Sequence, residues 1–249
     1  MTGTNRGIVG RNGSLHGGYI ATTSTLAPRD SLWRLKYLLF TFLGLMAAYV
    51  LRHNEHFLID AKDRAWQHYQ PFKWWLLPHG LAGACALVLG PMQFSDRLRL
   101  RFTKLHRVVG RFYVAGVFIA VPLGFYIQHF EERMGSPRSF SVAAAADAVL
   151  WAVTTGIAVA FILKGKVHQH RQWMTRGFAV ALVFLEVRVI GGVTGWETLG
   201  DVANETIVWV CLAASLLLAD LVLQWQELHR TRPIPAKTPI APRRPEEPA

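Results

Sequence analysis

The chain has 249 residues, of which 51% are hydrophobic and 17% charged, with a net charge of +11. That apolar share is only slightly high for a soluble domain, but the apolar residues gather into long runs, which excludes an ordinary soluble protein. Lys and Arg cluster at the ends of these runs, which is not the pattern of a nucleic-acid-binding protein.

Runs of about 20 helical residues with few charges can cross about 30 Å of hydrocarbon. Six occur here, at 32–51, 74–94, 108–128, 142–163, 174–193 and 207–225. No long polar linker divides them, so they predict one all-α, six-helix transmembrane bundle over 31–229. Arg29/Arg34/Lys36, Arg97 to Arg111, Lys164 to Arg176 and the tail from Arg230 to Arg244 then fall on one side. Loops 52–73, 129–141 and 194–206 are mixed or acidic. The positive-inside rule puts both termini in the cytoplasm, with the bundle in the inner (plasma) membrane.

Taken in order, residues 1–30 are rich in Gly, Thr, Ser and Asn with no apolar segment, which reads as a disordered cytoplasmic tail rather than a cleavable signal peptide. Asp30 and Ser31 are a plausible N-cap pair for the first span. Loop 52–73 holds His53, His56, His68, Glu55, Asp60 and Asp63. His53 and His56 could share a metal, although that spacing is common by chance. Trp66, Tyr69, Trp74 and Trp75 read as an interfacial aromatic belt.

Span 2 places His79, Gly83, Ala86, Gly90 and Gln93 on one face, a small-residue stripe suited to tight helix packing. Span 3 repeats the device with His106, Gly110, Tyr113, Val117, Ala120 and Gly124, and Pro122 predicts a kink. Span 4 is alanine-rich and lacks histidine; its Asp147 lies near the outer end, within reach of water. Span 5 aligns His170, Met174, Gly177, Ala181, Phe184 and Arg188. Glu186 and Arg188 sit about 24–27 Å along the helix from His170. Span 6 carries Asp220 and Gln224 near its cytoplasmic end, and the Pro- and Arg-rich segment 230–249 reads as a second disordered tail. Cys85 and Cys211 lie within spans and read as small buried residues, not a disulfide.

Two polar clusters follow. The inner one collects Gln93, His106, Arg107, Arg111, His170, Arg171 and Arg176, with Asp220 within reach. The outer one collects His79, Glu186, Arg188 and Asp147. Both His-Arg pairs open a span from the same side, so the inner cluster is the principal candidate site. Nothing matches a phosphate loop, a nucleophile elbow or paired catalytic carboxylates, so the pattern gives no support for hydrolytic catalysis.

His79, the run Gly90-Pro-Met-Gln-Phe94, the run His106-Arg-Val-Val-Gly-Arg-Phe-Tyr113 and the run His170-Arg-Gln-Trp-Met-Thr-Arg176 together resemble the predicted membrane protein family called domain of unknown function 2306. The resemblance spans 78–188 and implies a bacterial-type multi-pass membrane protein, with no activity attached. A second, fold-level likeness is to transmembrane b-type cytochromes, whose neighbouring spans ligate haem through histidines. It implies at most one haem b, with His106 and His170 on the iron and Arg107, Arg111, Arg171 and Arg176 near the propionates; His79 finds no partner on span 4. That reading gives an electron-transfer protein with a redox partner. The competing reading is a site for a small anion or lipid headgroup at the same arginines and histidines, with membrane lipids around the bundle and no nucleic acid. The plainest alternative is a structural bundle whose Arg and His residues snorkel to the interface.

Overall fold

The computed structural model describes residues 29–58, 60 and 62–228. The described secondary structure is all helical: α1 (Arg29–His53), a 3-10 turn (His56–Leu58), α2 (Ala65–Tyr69), α3 (Lys73–Gln93), α4 (Asp96–Arg101), α5 (Thr103–Arg133), α6 (Arg138–Leu163), α7 (Val167–Thr194), a second 3-10 turn (Trp196–Leu199) and α8 (Asp201–Leu228). The tails expected over 1–30 and 230–249 lie outside the described residues, except that Arg29 and Asp30 already belong to α1.

Among the described residues, five helices rather than six are long and apolar enough to cross a membrane: α3, α5, α6, α7 and α8. Helix α1, Arg29–His53, covers the first predicted run at 32–51, and its described apolar stretch is Tyr37–His53. Helix α1 also crosses the boundary between two compact units, the second beginning at Phe42; every contact described below lies within that second unit.

The helices run past the apolar segments that predicted them. Helix α5 reaches from Thr103 to Arg133 and continues through Pro122, and α7 begins at Val167, ahead of the apolar run. A helix has no reason to stop where hydrocarbon does, because its backbone bonds are satisfied internally on either side of that boundary. What stops it is backbone chemistry. Gly195, in the left-handed region at φ 68°, closes α7, and Gly165 at φ 70° follows the end of α6.

Short connections make α5, α6, α7 and α8 run alternately up and down. Helix α3 packs chiefly on α5, α6 on α7, and α7 on α8; α5 also packs on α6, and α3 on α7. In the group α3–α5–α6–α7, helices α5 and α7 therefore stand on a diagonal. The core between α6, α7 and α8 includes Ala143, Val180, Val183, Ile207, Val208, Cys211 and Leu212. Cys85 and Cys211 are free thiols.

The small-residue stripe of α3 is used unevenly. Ala86 is fully buried and Gly90 is buried, and a Cβ at Gly90 would run into the Phe178 ring of α7. Gly83, expected at the same interface, has open space where its Cβ would stand. The closest backbone approach belongs instead to Gly116 of α5, where a Cβ would lie 2.7 Å from the Ala82 carbonyl oxygen of α3. On α5 the predicted face holds: Tyr113 and Val117 are fully buried and Ala120 is 1% exposed.

Candidate functional site

The principal candidate lies where α3 ends and α5 and α7 begin. Gln93, in the last turn of α3, lays its side chain over Gly110, with Oε1 3.1 Å from where a Cβ there would stand. His106 sits one turn earlier on the same α5 face. Gln93 Nε2 and His106 Nδ1 are both buried without a hydrogen-bond partner. Arg99, His170 and Arg107 are the charged or titratable groups that bear on His106, and the two histidines each stand in the first turn of their helices, α5 and α7.

His170 is fixed differently. Its Nδ1 lies 2.8 Å from the Ala158 carbonyl oxygen of α6. A carbonyl only accepts, so Nδ1 carries the proton and Nε2 of the neutral ring keeps its lone pair. Arg176 pairs through Nε with Asp220 Oδ1 of α8 at 2.8 Å and lies 5.2 Å over the Trp173 ring. Arg107, Arg111 and Arg171 are exposed. The chemistry gathered here is two buried polar nitrogens without a partner among the described residues, at an end rich in arginine where Arg99 pairs with Asp96 and Arg176 with Asp220.

A flat macrocycle held between His106 and His170 would need room beside Gly110 and Gly177, which lie on the same helix faces. That room is filled: Gln93 covers Gly110, and the hydroxyls of Thr154 and Thr155 stand 3.1 and 3.4 Å from a Cβ at Gly177. The donor chemistry of His170 suits iron ligation, while the glycine faces are closed to a macrocycle as packed.

The outer cluster is dispersed. His79 Nδ1 donates to the Ala120 carbonyl of α5 at 2.9 Å, and its ring lies against Gly124. Arg188 turns to Glu55, 3.6 Å away, and to the Phe184 ring. Glu186 turns to α8, where the Ser215 hydroxyl lies 2.8 and 2.7 Å from its two oxygens. Two residues apart on a helix point to nearly opposite sides, which is why Glu186 and Arg188 part company. In the loop before α3, His56 pairs with Asp63 and His68 with Glu131, while His53 stacks on Tyr49. His53 and His56 are thus held by different partners, and among the described residues no group of three His, Cys, Asp or Glu side chains is placed to hold a metal.

Sequence reasoning missed a second constellation. Asp147, expected to reach water, has Oδ1 buried and without a partner; Glu186 is the charge that bears on it, and both bear on Cys211. One turn along α6, Trp151 Nε1 donates to the Tyr113 hydroxyl at 3.3 Å. Thr155, fully buried one turn further, lies beside that hydroxyl, its Oγ1 making no well-formed hydrogen bond among the described residues. Asp147, Trp151, Thr155 and Ala158 share one face at helical spacing, a signal present in the sequence but hidden within an alanine-rich run. At the same end as α6 begins, an open cleft of about 210 Å³ is lined by His129, Glu132 and Arg138 among others and touches none of the candidate residues.

Five apolar helices of spanning length, with basic residues gathered where they begin and end, define a multi-pass helical membrane protein. Over residues 76–223 the chain matches the model of the predicted membrane protein family DUF2306, and it belongs to that family. No curated protein and no solved structure matches it.

Proposed function

We propose that the basic end of the bundle binds a phosphate-type anion, free or as a lipid headgroup. The observation that carries this is the pair of buried nitrogens without a partner among the described residues, Gln93 Nε2 and His106 Nδ1, with Arg107 and the Asp96-paired Arg99 bearing on His106. A buried polar group left unpaired costs about 1–3 kcal/mol, and an anionic oxygen accepting from both nitrogens offsets that cost. Arg107 and Arg111 supply exposed charge for attraction and for bidentate contact. This end is the cytoplasmic one in the reading that α1 completes a sixth span and both termini are inside.

The test is a thermal melt of the purified protein with inorganic phosphate, and separately with anionic or zwitterionic lipid. Stabilisation by phosphate alone identifies a soluble anion; stabilisation only by anionic lipid identifies a headgroup. Either effect should vanish in Gln93→Leu and in His106→Ala. No stabilisation by either ligand overturns the proposal.

A second reading has one observation in its favour, the free Nε2 lone pair that the Ala158 hydrogen bond leaves on His170. In it His106 and His170 would hold one haem b, which would supply one-electron chemistry, and the closed faces at Gly110 and Gly177 would have to open. Protein from haem-replete cells should then show a Soret band that shifts on reduction, is lost in His106→Ala and in His170→Ala, and survives in His79→Ala. A colourless protein removes this reading and leaves the anion site standing.

A further inference from the structure

Asp147 lies nine residues into α6, Glu186 eight residues before the end of α7, and Ser215 midway along α8. At 1.5 Å per residue each is about 12 Å or more from the nearer end of its helix, and each lies inside an apolar run of the sequence, at 142–163, 174–193 and 207–225. The groups facing this point from the three packed helices are Asp147 on α6, Glu186 on α7, and Ser215 with Cys211 on α8; none is cationic. Arg188, nearest in sequence, is turned away to Glu55. Ala143, one turn before Asp147, packs with Val183 and Cys211 in one core cluster, and Val187, next to Glu186, lies against it. Asp147 Oδ1 is buried there without a hydrogen-bond partner among the described residues, while Glu186 takes the Ser215 hydroxyl. A carboxyl in a low dielectric without a counter-charge disfavours its ionised form, and ionisable residues at such depth mark proton or ion paths.

The second observation lies further along the same α6 face. Tyr113 and Thr155 are both 0% exposed, yet Thr155 Oγ1 is left without a partner. Its neighbour Thr154 shows the ordinary solution, donating back to the Leu150 carbonyl at 2.7 Å. An unpaired hydroxyl sealed in a bundle costs stability without return unless something else completes it. A water or a passing proton between Thr155, Tyr113 and the carboxylates would do so.

We propose that Asp147 and Glu186 form a proton-exchanging site inside the membrane, and that Tyr113 and Thr155 extend it along α6 toward His170. One proton resides on the pair; Ser215 donates to Glu186, and the proton is passed to or taken from solvent by way of the buried hydroxyls. The site is independent of any anion at the basic end.

Infrared spectroscopy of the full-length protein in lipid tests it. The wild type at neutral pH should show the C=O stretch of a protonated carboxyl, absent from Asp147→Asn with Glu186→Gln. After transfer to heavy water that band should shift, and the shift should slow several-fold in Thr155→Val and in Tyr113→Phe while the band itself remains. Circular dichroism and an unchanged melting temperature establish folding of each near-isosteric variant; where one variant unfolds, the other single substitution at the same step serves. No protonated carboxyl at neutral pH, or an exchange rate indifferent to both hydroxyl variants, overturns the proposal.

Discussion

At Gly116 the α3 and α5 backbones come so close that an added Cβ would stand 2.7 Å from the Ala82 carbonyl oxygen. Backbone cannot step aside as a flexible side chain can, so Gly116→Ala should destabilise by about 1–3 kcal/mol through overpacking. Gly83→Ala meets open space and should be neutral, or stabilising by up to about 1 kcal/mol, since alanine is the better helix former. Paired melts in detergent check the contrast; equal losses at both positions would mean that α3 and α5 pack in another register. The same scale governs Ser215, whose hydroxyl is the hydrogen-bond partner found for the Glu186 carboxylate. Ser215→Ala should cost about 1–3 kcal/mol, the ordinary penalty of leaving a buried acceptor unpaired.

Between elements, contacts of similar appearance differ in worth because they differ in exposure. Arg176 and Asp220 join α7 to α8 with side chains 25% and 54% exposed. Solvent screens such a pair, so Asp220→Asn should shift stability by no more than about 1 kcal/mol. Chemical denaturation of the two proteins measures the difference, and a much larger loss would show that Asp220 does more than pair with Arg176. Besides its apolar packing, one face of helix α6 hydrogen-bonds to both neighbours: Trp151 to Tyr113 of α5, and the Ala158 carbonyl to His170 of α7. That face ties the basic end to the mid-depth carboxylates, and it ran unnoticed through a sequence that looked like plain alanine-rich filler.

For the molecule as a whole, the connection through α4 and the connection between α5 and α6 stand at opposite ends of α5. In a background lacking Cys85 and Cys211, a cysteine at Ser139 should react with an impermeant thiol reagent on intact cells, and one at Ser95 should not. The reverse labelling would invert the bundle and move the basic end to the outer surface, contrary to the charge distribution. Labelling of both would break the alternation of the spans.

Five of the spanning helices were legible in the chain because their signal is one-dimensional: an apolar run of sufficient length, bracketed by charge. That His106 and His170 each open a helix was legible for the same reason. The face of α5 followed from helical period alone. Periodicity names a face but not the helix that meets it, so Gly83 was given a neighbour it lacks, while Gly116 held the true close contact. Likewise Glu186 and Arg188 looked like one cluster with His79, because each lay near the same membrane depth. Only the tertiary structure could separate them, since the choice among partners is made by residues far away in the chain: Ser215 for Glu186, 29 positions on, and Ala120 for His79, 41 positions on. Depth in the membrane is written along the sequence; azimuth around the bundle is decided by packing, and it is azimuth that buried Asp147 Oδ1 in the bundle rather than turning it outward to water.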